Sequence, residues 1–329
     1  MWQSRVGSIR PGGAKMPKWQ FSKGLHDLGQ GSFAYLQPDG SWGWSNAGLI
    51  THGEESLLVD TLFDLHLTRD MLKDMCDAAP QAERIGTLVN THANGDHTFG
   101  NQLVEGATII ASAAGAAEMA ELPPQALADI MRNASEMGEA GAFLKKLFDV
   151  FDFEGIQLQA PTETFSGVTT RKVGDKEVQL HEVGPAHTKG DVLVFVPADK
   201  TAFTGDILFI DGHPIIWAGP VANWIKACDL MIGWDVETIV PGHGPITDKS
   251  GVRAVREYLV YIEAEARKRH AAGLSVMEAA QDISFEDFSS WGDAERIVVN
   301  VDTLYKEFNN DPSPSDIVQM FAMMSKLAA

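Results

Sequence analysis

Short apolar runs closed by turn residues alternate along this chain with stretches of helical spacing. Phe33-Ala34-Tyr35-Leu36 reads as a strand, and Pro38-Asp39-Gly40-Ser41 as a turn leading into a second strand region, Trp42 to Ile50. Ser56 to Thr61 is a buried strand ending in a carboxylate. Leu65, Leu67, Met71, Leu72 and Met75 recur at helical spacing and predict a helix over 65–79. Ile85 to Val89 and Thr108 to Ala111 are further strands. From Ala113 to Phe151 the chain is rich in Ala, Met, Glu and Leu and interrupted by Pro123-Pro124, which predicts two or three helices with no strand between them. That insertion could form a lid or pocket wall, or equally add core packing or a dimer surface.

β character returns with Thr169 to Val173 and Val178 to Val183, joined at Gly174-Asp175, and with Val192 to Val196, Thr201 to Asp206 and Thr238 to Val240. A helix is expected over 223–233, and helices again from Val252 to Ala272, from Ser275, over 294–308 and over 315–327. Two halves, each β-rich and then helical, favour a single domain built as a sandwich of sheets covered by helices. Residues 1–30, polar and rich in Gly and Lys, are expected to form an irregular arm. The main domain is expected over 31–250, with the helical insertion at about 113–151. Residues 251–329 would be a helical extension packed on the same domain.

The balance of charge narrows the function. With 329 residues and a formal net charge of -19, the protein would be repelled by a phosphate backbone, which argues against a nucleic-acid partner. No apolar run approaches the ~18 residues that a membrane span needs. Residues 1–18 carry Arg5, Arg10, Lys15 and Lys18 without an apolar core behind them, unlike a secretory signal. Two cysteines, Cys76 and Cys228, stand far apart and read as reduced thiols of a cytoplasmic protein.

The chemistry concentrates in loops that follow strands. Thr91-His92-Ala93-Asn94-Gly95-Asp96-His97 follows an apolar run and presents imidazole, amide and carboxylate groups close together. His187 sits in Gly184-Pro185-Ala186-His187-Thr188-Lys189-Gly190-Asp191, Asp206 in Thr204-Gly205-Asp206, and His243 in Pro241-Gly242-His243-Gly244. Strand ends that open on one side of a sheet bring such loops together, and His and Asp are groups that zinc accepts. Asp60 ends a strand and is expected to accept from a ligand ring N–H, as such partners fix the tautomer. His213, Trp217 and Asn223, in and beyond the loop leaving Asp206, could line a substrate pocket. Trp42 and Trp44 could form an aromatic wall or pack a sheet face. The remaining histidines read as structural or surface residues.

With Leu58-Val59-Asp60-Thr61, these motifs occur in the order found in the metallo-β-lactamase-fold superfamily, which residues 46–247 resemble. The resemblance implies a four-layer αββα sandwich of the α/β (α+β) class. It also implies one or two zinc ions, with iron or manganese as other candidates. His92, His187 and Asp206 would hold one ion, Asp96, His97, His243 and Asp206 a second, and Asp206 would bridge. At residue 94 the family commonly has His. Asn94 departs from it, and an amide oxygen is a harder, weaker zinc ligand than imidazole. The implied reaction is hydrolysis of an ester, thioester or lactone by metal-activated water, with pKa lowered from ~15.7 to about 7. Asp96 would orient that water and take up its proton. A small-molecule substrate, hydrophobic or aromatic, and a homo-oligomer fit this reading. A polyketide cyclase-like enzyme, an iron-dependent dioxygenase and a non-catalytic metal-binding protein are the alternatives.

Overall fold

The computed structural model describes residues 19–328. Its first sheet has seven strands in sequence order: β1 (Gly24–Gly29), β2 (Ser32–Leu36), β3 (Ala47–His52), β4 (Glu55–Val59), β5 (Thr87–Val89), β6 (Thr108–Ser112) and β7 (Glu163–Phe165). Neighbours are antiparallel as far as β4 and parallel from β4 to β7. The second sheet comprises β8 (Val168–Val173), β9 (Lys176–Glu182), β10 (Val192–Val196), β11 (Thr201–Phe203) and β12 (Thr238–Val240), in the order β12-β11-β10-β9-β8.

Period-two alternation assigns each strand face to a layer. Leu57 and Val59 of β4 meet Val192, Val194 and Val196 of β10 in a core between the two sheets. Leu58, Leu88 and Ile109 point the other way, onto Met71 and Met75 of α1 (Leu65–Ala78). Leu193, Phe195, Ala202 and Ile239 of the second sheet pack on Trp224, Cys228 and Met231 of α6 (Val221–Gly233) and on Val252 and Val255 of α7 (Lys249–Ala271). The result is helix, sheet, sheet, helix, the four-layer sandwich expected. β10 is central and buried at every position, so it reads as a continuous apolar run rather than an alternating one.

Between β6 and β7 lie α3 (Ala113–Met119), α4 (Pro124–Asn133) and α5 (Gly138–Phe148). After α7 come α8 (Val276–Asp282), α9 (Ile297–Asn309) and α10 (Ile317–Leu327). The insertion and the C-terminal helices share the core that covers the second sheet. Phe321 of α10 lies 6.2 Å from Phe143 and 6.4 Å from Phe148 of α5, and 5.7 Å from Trp42. Trp42 therefore packs in the core, among rings of the helices.

At one end of the sandwich Lys176 is buried and ties the sheets together. Its Nζ donates to the carbonyls of Gln30 (2.6 Å) and Thr51 (3.3 Å) and to Asp199 Oδ2 (2.7 Å), which also accepts from Ser32 Oγ at 2.5 Å. Thr51 pairs with Ser56 near the start of β4, whereas Asp60 follows the end of β4, so this ion pair sits at the opposite end from Asp60.

Several elements differ from expectation. Residues 24–29 are not an irregular arm; they form edge strand β1, paired with β2, and its flanking glycines hid a pairing that only tertiary context supplies. Residues 1–18 lie outside the described residues. Within Trp42 to Ile50 only the part from Ala47 is strand, because the preceding loop turns to the second sheet, where Asn46 N donates to Gly242 O at 2.7 Å. The short, largely exposed β7 has no apolar alternation to announce it.

Candidate metal centre

Loops leaving strands of both sheets meet at one point. Val59 ends β4 and Asp60 follows with φ +62, a left-handed conformation that costs a non-glycine residue of the order of 1 kcal/mol. That turn aims its carboxylate across the end of β5. Oδ1 accepts from Thr91 N at 2.7 Å, and Oδ2 accepts from Thr91 Oγ1 at 2.7 Å and lies 3.0 Å from His97 Nδ1. Residues 95–98 then form a single helical turn, α2 (Gly95–Thr98), which brings Asp96 and His97 toward the same space. Gly95 matters here for room rather than for backbone freedom: a Cβ would press into the Phe99 ring.

Asp206 is the focus. Its Oδ2 lies 3.3 Å from His187 Nε2 and 3.7 Å from His92 Nε2. Its Oδ1 lies 3.1 Å from His97 Nε2 and 3.4 Å from His243 Nε2. Asp96 Oδ2 is 3.2 Å from His243 Nε2 and 3.9 Å from His97 Nε2. Two ligand groups result, His92–His187–Asp206 and Asp96–His97–His243, each with its donor atoms within 4.8 Å of one another. Asn94 faces the first group, its amide 3.2 Å from His187 Nε2; turned over, the same amide offers its oxygen.

Each ring is anchored through Nδ1, leaving Nε2 to point inward. Thr91 Oγ1 lies 3.0 Å from His92 Nδ1, Asp60 Oδ2 3.0 Å from His97 Nδ1, Ile215 O 2.7 Å from His187 Nδ1 and Gly40 O 3.1 Å from His243 Nδ1. This outer bonding is what orients imidazoles that ligate metals. Gly242 completes the arrangement, since a Cβ there would collide with Asp206 Oδ1.

The electrostatics call for a cation. Asp60, Asp96 and Asp206 are buried, and among the described residues their ion-pair partners are imidazoles alone. Burial opposes ionisation of Asp206, yet the surrounding His243, His97, His92 and His187 hold it well below the usual carboxylate range. Burial likewise opposes a charge on His97 and His243. For His97 the Asp206 and Asp96 carboxylates outweigh it and hold the ring well above its ordinary value; for His243 they push it up to about 9. His92, by contrast, is driven well below its ordinary value by burial and by His97. Protonated rings here supply positive charge that a metal would supply instead. His92 Nε2, His97 Nε2 and Asp206 Oδ1 have no aligned hydrogen bond despite being buried, a cost that metal coordination removes. The donor set of imidazole, carboxylate and amide suits a divalent ion.

The three residues expected to line a pocket separate. The backbone N of Trp217 donates to His187 O at 3.0 Å, and Asn223 Nδ2 to Pro185 O at 3.2 Å, so both adjoin the His187 loop. His213 does not join them. Its ring is fully buried, 4.3 Å from Phe285, 5.2 Å from Tyr258 and 5.8 Å from Trp291, in the aromatic core under the C-terminal helices. Sequence reasoning missed Thr91, whose hydroxyl links Asp60 to His92. Its place directly before His92, after a strand, was the available signal.

Solved structures with the same architecture include a metallo-beta-lactamase from Pontibacter korlensis, with TM-score 0.54 and 18% identity over 72% of this chain and 98% of that one. TMB-1 gives TM-score 0.51 and 17% identity over 73% of this chain and 98% of its own. The sec-alkylsulfatase Pisa1 from Pseudomonas sp. gives TM-score 0.62 and 15% identity over 89% of this chain; this chain spans only about half of that protein, 52%. A comparison with curated proteins finds no match. The model of the metallo-beta-lactamase superfamily matches residues 40–243, the stretch that carries every group gathered around Asp206, and the chain belongs to that superfamily.

Proposed function

We propose that this protein is a metal-dependent hydrolase that splits an ester, thioester or lactone with water, and that zinc, as one or two ions, is its cofactor. The observation that carries this reading is the bridging position of Asp206, each oxygen facing a different pair of inward-pointing Nε2 atoms. His92, Asn94, His187 and Asp206 would hold one ion, and Asp96, His97, His243 and Asp206 the other. When bound, such ions supply Lewis acidity and make water acidic enough to ionise near neutral pH.

The chain's own residues do the rest. Asp96 is the ligand-set carboxylate with the most exposed side chain, at 12%, so it can reach both solvent and substrate. It would orient the attacking water, take its proton and return it to the leaving oxygen or sulfur. Burial of the other groups excludes bulk water and strengthens each charge interaction. Half-buried Trp217, whose backbone adjoins the His187 loop, would give a hydrophobic or aromatic substrate a ring to meet. Sulfate esters form a second reading, favoured because the likeness to the alkylsulfatase extends over 89% of this chain and so takes in helices beyond residue 243.

Elemental analysis of freshly purified protein, with a screen of aryl esters, thioesters, lactones and secondary alkyl sulfates, tests both readings. Chelation should abolish turnover. It should also lower Tm by on the order of 5–10 °C, the loss expected for a ligand held about a thousandfold above its Kd. Full turnover in the chelated protein would sink the proposal. Asn94→His is expected to tighten zinc in the first pocket about tenfold or more, because imidazole is the softer donor. A chelator-competition titration that finds no tightening would show that Asn94 lies outside the coordination sphere.

A further inference from the structure

We propose that the turn at residues 293–296, in the C-terminal helical region, is a positioning device for His243 and thereby sets the affinity of the pocket formed by Asp96, His97 and His243. This rests on the reading of that pocket as a metal site. His243 is held by two groups that are not ligands. Gly40 O lies 3.1 Å from its Nδ1, and the Phe209 ring stacks on its imidazole at 5.1 Å with an interplanar angle of 5°.

Both holders are gripped by the same turn. Ser41 Oγ donates to Asp293 Oδ1 at 2.5 Å, and Trp42 Nε1 to Glu295 Oε1 at 2.9 Å, which fixes the two residues that directly follow Gly40. The Arg296 guanidinium lies 4.6 Å from the Trp42 ring centroid and 5.0 Å from that of Phe209. One cation thus contacts the segment that bonds His243 and the ring that stacks on it. Arg296 is 2% exposed, and its Nε has no partner, an expensive arrangement for a charged group. Its other donors are tied to His213 O at 3.0 Å and Asp293 Oδ2 at 3.1 Å, which fixes the guanidinium plane. A planar, weakly hydrated cation can serve two aromatic faces in this way, whereas the compact ammonium of lysine cannot. The turn lies beyond residues 40–243, so a segment outside the superfamily match disciplines a ligand inside it.

Cobalt(II) titration of the full, metal-free chain, read by visible absorption and by competition with a chelating dye, tests this. Arg296→Met should weaken the cobalt equivalent that His243→Ala abolishes by about tenfold or more, the usual effect of losing an outer partner of a ligand. It should leave the other equivalent unchanged, and Arg296→Lys should rescue little. On a His243→Ala background, Arg296→Met should have no further effect on the remaining equivalent. Unaltered binding in a folded Arg296→Met protein, equal weakening of both equivalents, or a full effect persisting on the His243→Ala background would each overturn the inference. Should Arg296→Met fail to fold, Trp42→Phe removes the Glu295 bond, leaves a smaller ring beside Arg296, and must shift the same equivalent in the same direction. Wild-type protein that takes up no cobalt would defeat the metal-site reading itself, a result distinct from normal uptake that the variant leaves untouched.

Discussion

Replacing Asp206 with alanine should cost the protein both cation pockets at once. Among the described residues no other carboxylate faces all four imidazoles or is placed to span the gap between the His92–His187 pair and the His97–His243 pair. Elemental analysis should find little metal in the purified variant. Turnover should fall on the order of 10³-fold or more, since deleting even one preorganised charge-stabilising group from a water-excluded site costs about 10²–10³. The variant should fold, because the imidazoles keep their Nδ1 anchors. Retention of wild-type metal content would mean that the bridging geometry has no chemical role.

Asp60→Asn should act one layer further out and through a proton. Thr91 N is a fixed donor, so the asparagine oxygen must take over that bond, and its NH2 must then face His97 Nδ1. Facing a donor, Nδ1 becomes an acceptor and the ring proton moves to Nε2, the atom that points at Asp206. The expected result is a loss of about 10- to 100-fold in affinity at the Asp96–His97–His243 pocket. Stability should change by only about 1–3 kcal/mol, the range for one disturbed buried hydrogen-bonding group. Metal titration alongside denaturant unfolding separates the two. Asp60→Ala should lower stability further, as it strands the Thr91 N–H and hydroxyl as well. A pocket affinity unchanged in Asp60→Asn would show that Asp60 serves the fold alone.

The layered fold was legible because the strands that build it are buried on known faces. The apolar runs at Val192 to Val196 and at Leu57 to Val59 and the turn at Gly174-Asp175 each report a local pattern that the tertiary structure keeps. Strand β1 was not legible, since Gly24 to Gly29 pairs as an edge for reasons that lie in β2. At the metal centre, residues in loops that directly follow strands were legible, because strand direction fixes where such loops open. His213 was misread for the opposite reason. Its loop leaves the centre, and Arg296, 83 residues further along the chain, draws the backbone of His213 into the aromatic core. No local pattern marks Arg296 as the residue that does so.

The buried Lys176–Asp199 pair holds the sheets together at a place the candidate metal centre does not reach. Loops from both sheets meet at the mouth of the sandwich, around Asp206. At the far rim the lysine clasps Gln30, Thr51 and Asp199 whatever the mouth holds. The two leaves are thus pinned at the rim opposite Asp60, like a book with a bound spine, by contacts that owe nothing to the groups around Asp206.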